Sequence, residues 1–133
     1  METEKPTFLD SFEEYYLEEV IPNFEKLKEE HESEFKFDID SEPNVNNEDS
    51  KRWSLLVSAI DPIELPRVRH CHFKVSAYEV DKQVVIRMNS SDDLGKVHDA
   101  RQEVFTGFFQ EFKEKELNKL LLDTVKKYIG RIC

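Results

Sequence analysis

The chain has 133 residues, 29 Asp+Glu against 19 Lys+Arg for a net charge of −10, and 11% aromatic residues, ten of them Phe. At roughly 150 residues per domain this length allows a single acidic domain over 1–133, and the aromatic content implies a Phe-rich core rather than a disordered polymer. Three glycines and five prolines exclude collagen-like and linker-like classes, and no apolar run approaches the ~18–20 residues of a membrane helix.

The opening METEKPTF lacks the basic-then-apolar pattern of a leader. Two cysteines, Cys71 in a strand-like stretch and Cys133 at the last position, do not make a disulfide framework. The expectation is a soluble, cytoplasmic protein that does not engage a membrane.

The charge is uneven. Residues 1–50 hold 17 acids and 4 bases, net −13, whereas residues 51–91 hold 4 acids and 7 bases, net +3. The acidic run reads as a solvated helix face, as a surface offered to a basic partner, or as a segment that folds back on the basic middle.

Residues 8–31 predict a helix, because Phe8, Phe12, Tyr15 or Tyr16, Val20, Phe24, Leu27 and His31 recur at spacings of three and four. Thr7 is a candidate cap, and Ser11 with Glu14 a second capping box. Pro22 predicts a kink near residues 20–22, or two helices with Pro22 in the first turn of the second. Glu14, Glu18, Glu25 and Glu29 fall on the opposite, polar face.

Phe35, Phe37 and Ile39 alternate with Lys36, Asp38 and Asp40, which predicts a first strand. Residues 41–51 collect Ser, Pro, Asn and acids and predict a mobile loop. Residues 52–60 form a second predicted strand with Trp53, Leu55, Val57 and Ala59 on one face, ended by the two prolines of residues 61–66.

A third strand spans Arg69 to Val80 and a fourth Gln83 to Asn89, with Asp81-Lys82 as a tight hairpin. On the third strand Cys71, Phe73, Val75 and Ala77 share one face, and His70, His72, Lys74, Ser76 and Tyr78 the other.

Ser90 to Asp93 suit a helix start. Apolar residues from Val97 to Ile132 follow helical spacing with a slip between Phe112 and Leu117, which predicts one long helix or two packed helices, with Gly130 as a stop. The fold class expected is α+β: an N-terminal helix, a four-stranded antiparallel meander and C-terminal helices on one sheet face.

No catalytic motif stands out. There is no Gly-x-Ser-x-Gly elbow, no Walker loop and no dinucleotide fingerprint, so neither catalytic residues nor a cofactor is assigned. His70 and His72 project from the same strand face about 7 Å apart. Such a pair can hold a metal only with further ligands; His31, His98 and nearby Asp or Glu are the candidates, but nothing in the linear sequence brings them in, so no metal is assigned.

The stripe Phe105, Phe108, Phe109 and Phe112 around Gly107 is expected in the core, with a homodimer interface as the alternative. Function then divides between two classes. The first is a non-catalytic protein-binding factor, of inhibitor, immunity or chaperone type, that engages a basic partner protein through Glu14, Glu18, Glu25 and Glu29. The second is a ligand- or oligonucleotide-binding sheet face using His70, His72, Lys74 and Arg87, although the overall acidity disfavours long nucleic acids.

Overall fold

The computed structural model describes residues 7–47, 49–60, 68–92, 94 and 96–129, with the backbone alone at 45–47, 98 and 99. Helix α1 (Phe8–Tyr15) starts at a capping box, in which Thr7 Oγ1 accepts from Asp10 N at 3.1 Å and Asp10 Oδ2 accepts from Thr7 N at 3.5 Å. Glu79 reinforces the same end, its carboxylate accepting from Phe8 N at 3.3 Å and Leu9 N at 3.4 Å, where a negative charge meets the positive pole of the helix. Ser11 does not cap, because it lies inside α1.

Tyr16–Val20 form a π-helical turn that leads directly into α2 (Ile21–Glu30). This turn replaces the expected kink near Pro22. Proline has no N–H for the carbonyl of Glu18, and its ring would crowd that oxygen. Widening the turn, with Ile21 N donating to Tyr16 O, lets Pro22 sit in the first turn of α2. Leu9, Phe12, Tyr16, Val20, Phe24 and Leu27 are buried along one stripe.

Among the described residues six strands follow: β1 (Phe35–Ile39), β2 (Asn44–Asn47), β3 (Ser50–Ala59), β4 (His70–Tyr78), β5 (Gln83–Ser91) and β6 (Val97–Phe108). All pairs are antiparallel in the order β1-β3-β4-β5-β6, and β2 lies against the first residues of β3. Helices α3 (Phe109–Glu114) and α4 (Leu117–Tyr128) end the described chain. Among the described residues no helix is long and apolar enough to cross a membrane.

The α+β class and the antiparallel sheet agree with expectation, but four strands were too few. Part of the expected 41–51 loop is strand, since Asn44 and Val45 pair with Arg52 and Lys51. These residues gain backbone hydrogen bonds without an apolar alternation to announce them.

The larger correction is at Ser90 to Phe108. Ser90 and Ser91 complete β5, and residues 97–108 are a strand rather than helix. The register of β6 on β5 slips between Ile86 and Arg87, between Met88 and Ser90, and between Ser90 and Ser91. Each bulge inserts a residue and resets the two-residue alternation, so apolar residues fall at spacings of three and four and imitate a helix.

The expected slip between Phe112 and Leu117 is the real break between α3 and α4. The hairpin at Asp81-Lys82 is wider than expected, a four-residue loop closed by the Tyr78–Gln83 pair. Lys82 there takes φ 55°, a conformation that suits glycine best. Residues 61–67, Asp93, the His98 side chain, Gly130 and Cys133 lie outside the described residues.

The core occupies one face of the sheet. Trp53, Leu55 and Val57 of β3, Cys71, Phe73, Val75 and Ala77 of β4, and Val84, Ile86 and Met88 of β5 are buried there, under Phe12, Tyr16 and Phe24 and under Phe112, Leu121 and Val125. Each large side chain so buried contributes about 1.5–3 kcal/mol before entropy is charged against it. Phe105 and Phe109 pack partly against this core, whereas Phe108 points away and is 54% exposed. Asn118 Nδ2 donates to Asn23 O at 2.8 Å and ties α4 to α2.

Asp92 holds the β5–β6 connection. It is buried, and its Oδ1 accepts from Leu94 N at 2.8 Å and Lys96 N at 3.0 Å. Asp92→Ala leaves both donors unpaired and is expected to lower unfolding stability in urea by about 1–3 kcal/mol. Asp92→Asn keeps an acceptor and recovers part of that loss; equal stability of all three chains would contradict this role.

Candidate anion-binding face

Alternation decides what the uncovered face of the sheet carries. Because the even-numbered residues of β5 and the odd-numbered residues of β3 and β4 enter the core, their neighbours project the other way. Cross-strand register then sets them in rows. Ser50, Tyr78, Gln83 and Phe108 form one row, and Arg52, Ser76, Val85 and Thr106 the next. Ser54, Lys74, Arg87 and Glu103 follow, and then Leu56, His72 and Asn89.

Small and large side chains alternate across these rows. Ser76 and Ser50 are short and buried, and the longer Arg52, Lys74 and Arg87 stand around them. The result is a concavity of about 420 Å³ lined by Ser50, Lys51, Arg52, His72, Lys74, Ser76, Tyr78, Arg87, Asn89 and Arg101.

Arg101 reaches this face through a bulge. Two residues of β6, Ala100 and Arg101, stand opposite Asn89 between the Met88–Gln102 and Ser90–Asp99 pairs. Arg101 takes φ 52°, and its N–H donates to Asn89 Oδ1 at 2.7 Å. A side chain in this left-handed region costs roughly 1–2 kcal/mol. The hydrogen bond to Asn89 Oδ1 holds the backbone in that strained state.

Arg52, Lys74, Arg87 and Arg101 therefore converge, and none forms an ion pair among the described residues. Lys74 stands directly opposite Arg87, an arrangement of like charges that is unfavourable on its own. His72 feels the same surroundings. Burial, then Lys74 and Arg52, hold its pKa below the ordinary 6.5, so the ring is neutral near pH 7.

Three of the four residues expected on this face, His72, Lys74 and Arg87, line the concavity. His70 does not, although it shares the face; its Nδ1 lies 2.8 Å from Ser58 Oγ. Among the described residues no cluster of three His, Cys, Asp or Glu gathers around the pair to hold a metal. His31 lies elsewhere, its Nδ1 3.1 Å from Glu34 Oε1.

Glu14, Glu18, Glu25 and Glu29 are all exposed on the N-terminal helices, on the opposite side of the sheet. The fold-back alternative is thereby corrected. Lys74 and Arg87 face away from the acidic helix, so that alternative is met only in part, by the Lys51–Glu13 ion pair at the sheet margin.

Sequence reasoning missed Arg101, because the residue lay in a stretch that imitated a helix. Arg52 and Tyr78 were visible as basic and aromatic residues of the middle segment, but only the register places them beside Lys74 and Arg87. No known family model, curated protein or solved structure matches the chain.

The His72 environment has a consequence for pH. The unfolded chain protonates this ring near 6.5, whereas the fold resists protonation, so the unfolded state binds more protons as the pH falls below that value. Stability is therefore lost toward acid. Urea titrations at pH 7.5 and 5.5 are expected to show a smaller loss in His72→Gln than in the parent chain; an identical loss would contradict this environment.

Proposed function

We propose that the protein is a non-catalytic binding module that captures a phosphate-bearing anion on the open face of its sheet. The observation that carries this reading is the convergence of Arg52, Lys74, Arg87 and Arg101 on one concavity without ion-pair partners among the described residues. Two like charges about 7 Å apart repel by ~0.6 kcal/mol in water and ~2 kcal/mol near a protein surface. Four cations held together, one on a strained backbone, are a local cost that an anionic ligand offsets through charge-assisted hydrogen bonds. Ser50, Ser76 and Asn89 add neutral hydrogen-bonding groups that can orient the ligand.

A second reading keeps the acidic helix face as a docking surface for a basic partner protein. It is supported by Glu14, Glu18, Glu25 and Glu29, which are exposed and have no ion-pair partner among the described residues. The two readings use opposite sides of the molecule and are separable.

Titration calorimetry with inorganic tripolyphosphate tests the first. Lys74→Glu and Arg87→Glu together are expected to weaken binding at least about tenfold, and raised salt weakens it further. Arg101→Gly is expected to weaken binding while unfolding stability stays level or rises by up to about 1 kcal/mol, because glycine relieves the left-handed backbone. Absence of binding, or equal binding by these variants, would overturn the anion site. Loss of a protein partner on reversal of Glu14 and Glu18 to Lys, with no response to tripolyphosphate, would favour the second reading.

A further inference from the structure

We infer that the ligand of this face is a nucleotide-sized molecule, its phosphates held by Arg52, Lys74, Arg87 and Arg101 and its base laid against Tyr78. The inference rests on the anion-site reading above and specifies what else the site recognises. Tyr78 lines the same concavity as the cations. It projects from β4 four residues beyond Lys74, about 13 Å along the strand, with the short Ser76 between them. A planar aromatic platform at one end of a dished floor and cations along the rest is the division that a base, a sugar and a chain of phosphates require.

Tyr78 pairs in register with Gln83, and Gln83 with Phe108. Phe108 thus lies on the same row of the open face, two strands from Tyr78 and outside the lining of the concavity. Phe108 is 54% exposed, unlike Phe112, which is buried in the core.

The flanks argue for a short ligand rather than a long strand. Asp38 of β1 pairs with Leu56 on one side, and Glu103 of β6 stands opposite Arg87 on the other. Both carboxylates belong to the open face, Asp38 beyond β3 and Glu103 beside Arg87 on the strand that carries Arg101, so the cations form a patch rather than a continuous track. A polynucleotide crossing the sheet meets both carboxylates, and it also meets the long-range field of a chain with net charge −10. Neither Asp38 nor Glu103 lines the concavity, and its volume of about 420 Å³ falls within the usual range for small-ligand sites.

Calorimetry on the full chain with inorganic tripolyphosphate, a nucleoside triphosphate and a ten-residue single-stranded oligonucleotide tests the inference. The nucleoside triphosphate is expected to bind about tenfold more tightly than tripolyphosphate, the margin a stacked base supplies, and more tightly than the oligonucleotide. Tyr78→Ala should erase that margin and leave tripolyphosphate affinity unchanged. Tyr78→Leu preserves packing and serves the same purpose if the alanine variant does not fold, while Tyr78→Phe should retain the margin.

Equal binding of tripolyphosphate and nucleotide, or a margin that survives Tyr78→Leu, would overturn the nucleotide inference while leaving the anion site intact. Tighter binding of the oligonucleotide would overturn it in favour of a single-strand groove. Failure of all three anions to bind would overturn the anion site itself.

Discussion

Trp53, fully buried at the middle of the sheet, stacks on Tyr16 with ring centroids 4.6 Å apart and meets Phe12 at 5.4 Å. Phe12 in turn contacts Phe112 at 5.3 Å. Four rings thus join the N-terminal helix, β3 and the C-terminal helices at one place, and each such contact adds ~0.5–1.5 kcal/mol to the area it buries. The helices are committed to the Trp53 face by these rings, and their coverage leaves the other face of β3, β4 and β5 open. The proposed anion site owes its access to solvent to that asymmetry, since a second helical layer would have buried Lys74 and Arg87 beyond reach of any ligand.

The same asymmetry sorts the charge. Glu14, Glu18, Glu25 and Glu29 lie on the outer surface of the helical layer, and Arg52, Lys74, Arg87 and Arg101 lie on the open sheet face. Between them lies the apolar core; Lys51 pairs with Glu13 at its margin, whereas Arg52, Lys74, Arg87 and Arg101 have no ion-pair partner among the described residues. An acidic protein can in this way hold a local positive field, which a net charge averaged over the chain conceals.

Where one period ran uninterrupted, the sequence was a sufficient guide. The stripe from Phe12 to Leu27, the alternation of Trp53, Leu55 and Val57, and that of Cys71, Phe73 and Val75 all found their expected burial. Legibility failed where the backbone departs from a single period. The bulges of β6 turned a strand into an apparent helix, and β2 is held by backbone pairing rather than by side-chain pattern.

The candidate site was legible in the same measure. His72, Lys74 and Arg87 lie on regular strands and could be assigned to one face from parity. Arg101 reaches the face only through a bulge in the left-handed conformation, which no alternation rule anticipates. The residue hardest to foresee is thus the one whose backbone carries the strain.

On the proposed reading a ligand meets, on the open face, cations that have no ion-pair partner among the described residues. A titration of isotope-labelled protein with inorganic tripolyphosphate, followed by amide chemical shifts in NMR, examines it residue by residue. The account expects progressive, saturable shifts at His72, Lys74 and Ser76, at Arg87 and Asn89, and at Arg101, with α1 and α2 silent. Shifts confined to the helices, or none at saturating tripolyphosphate, would contradict it.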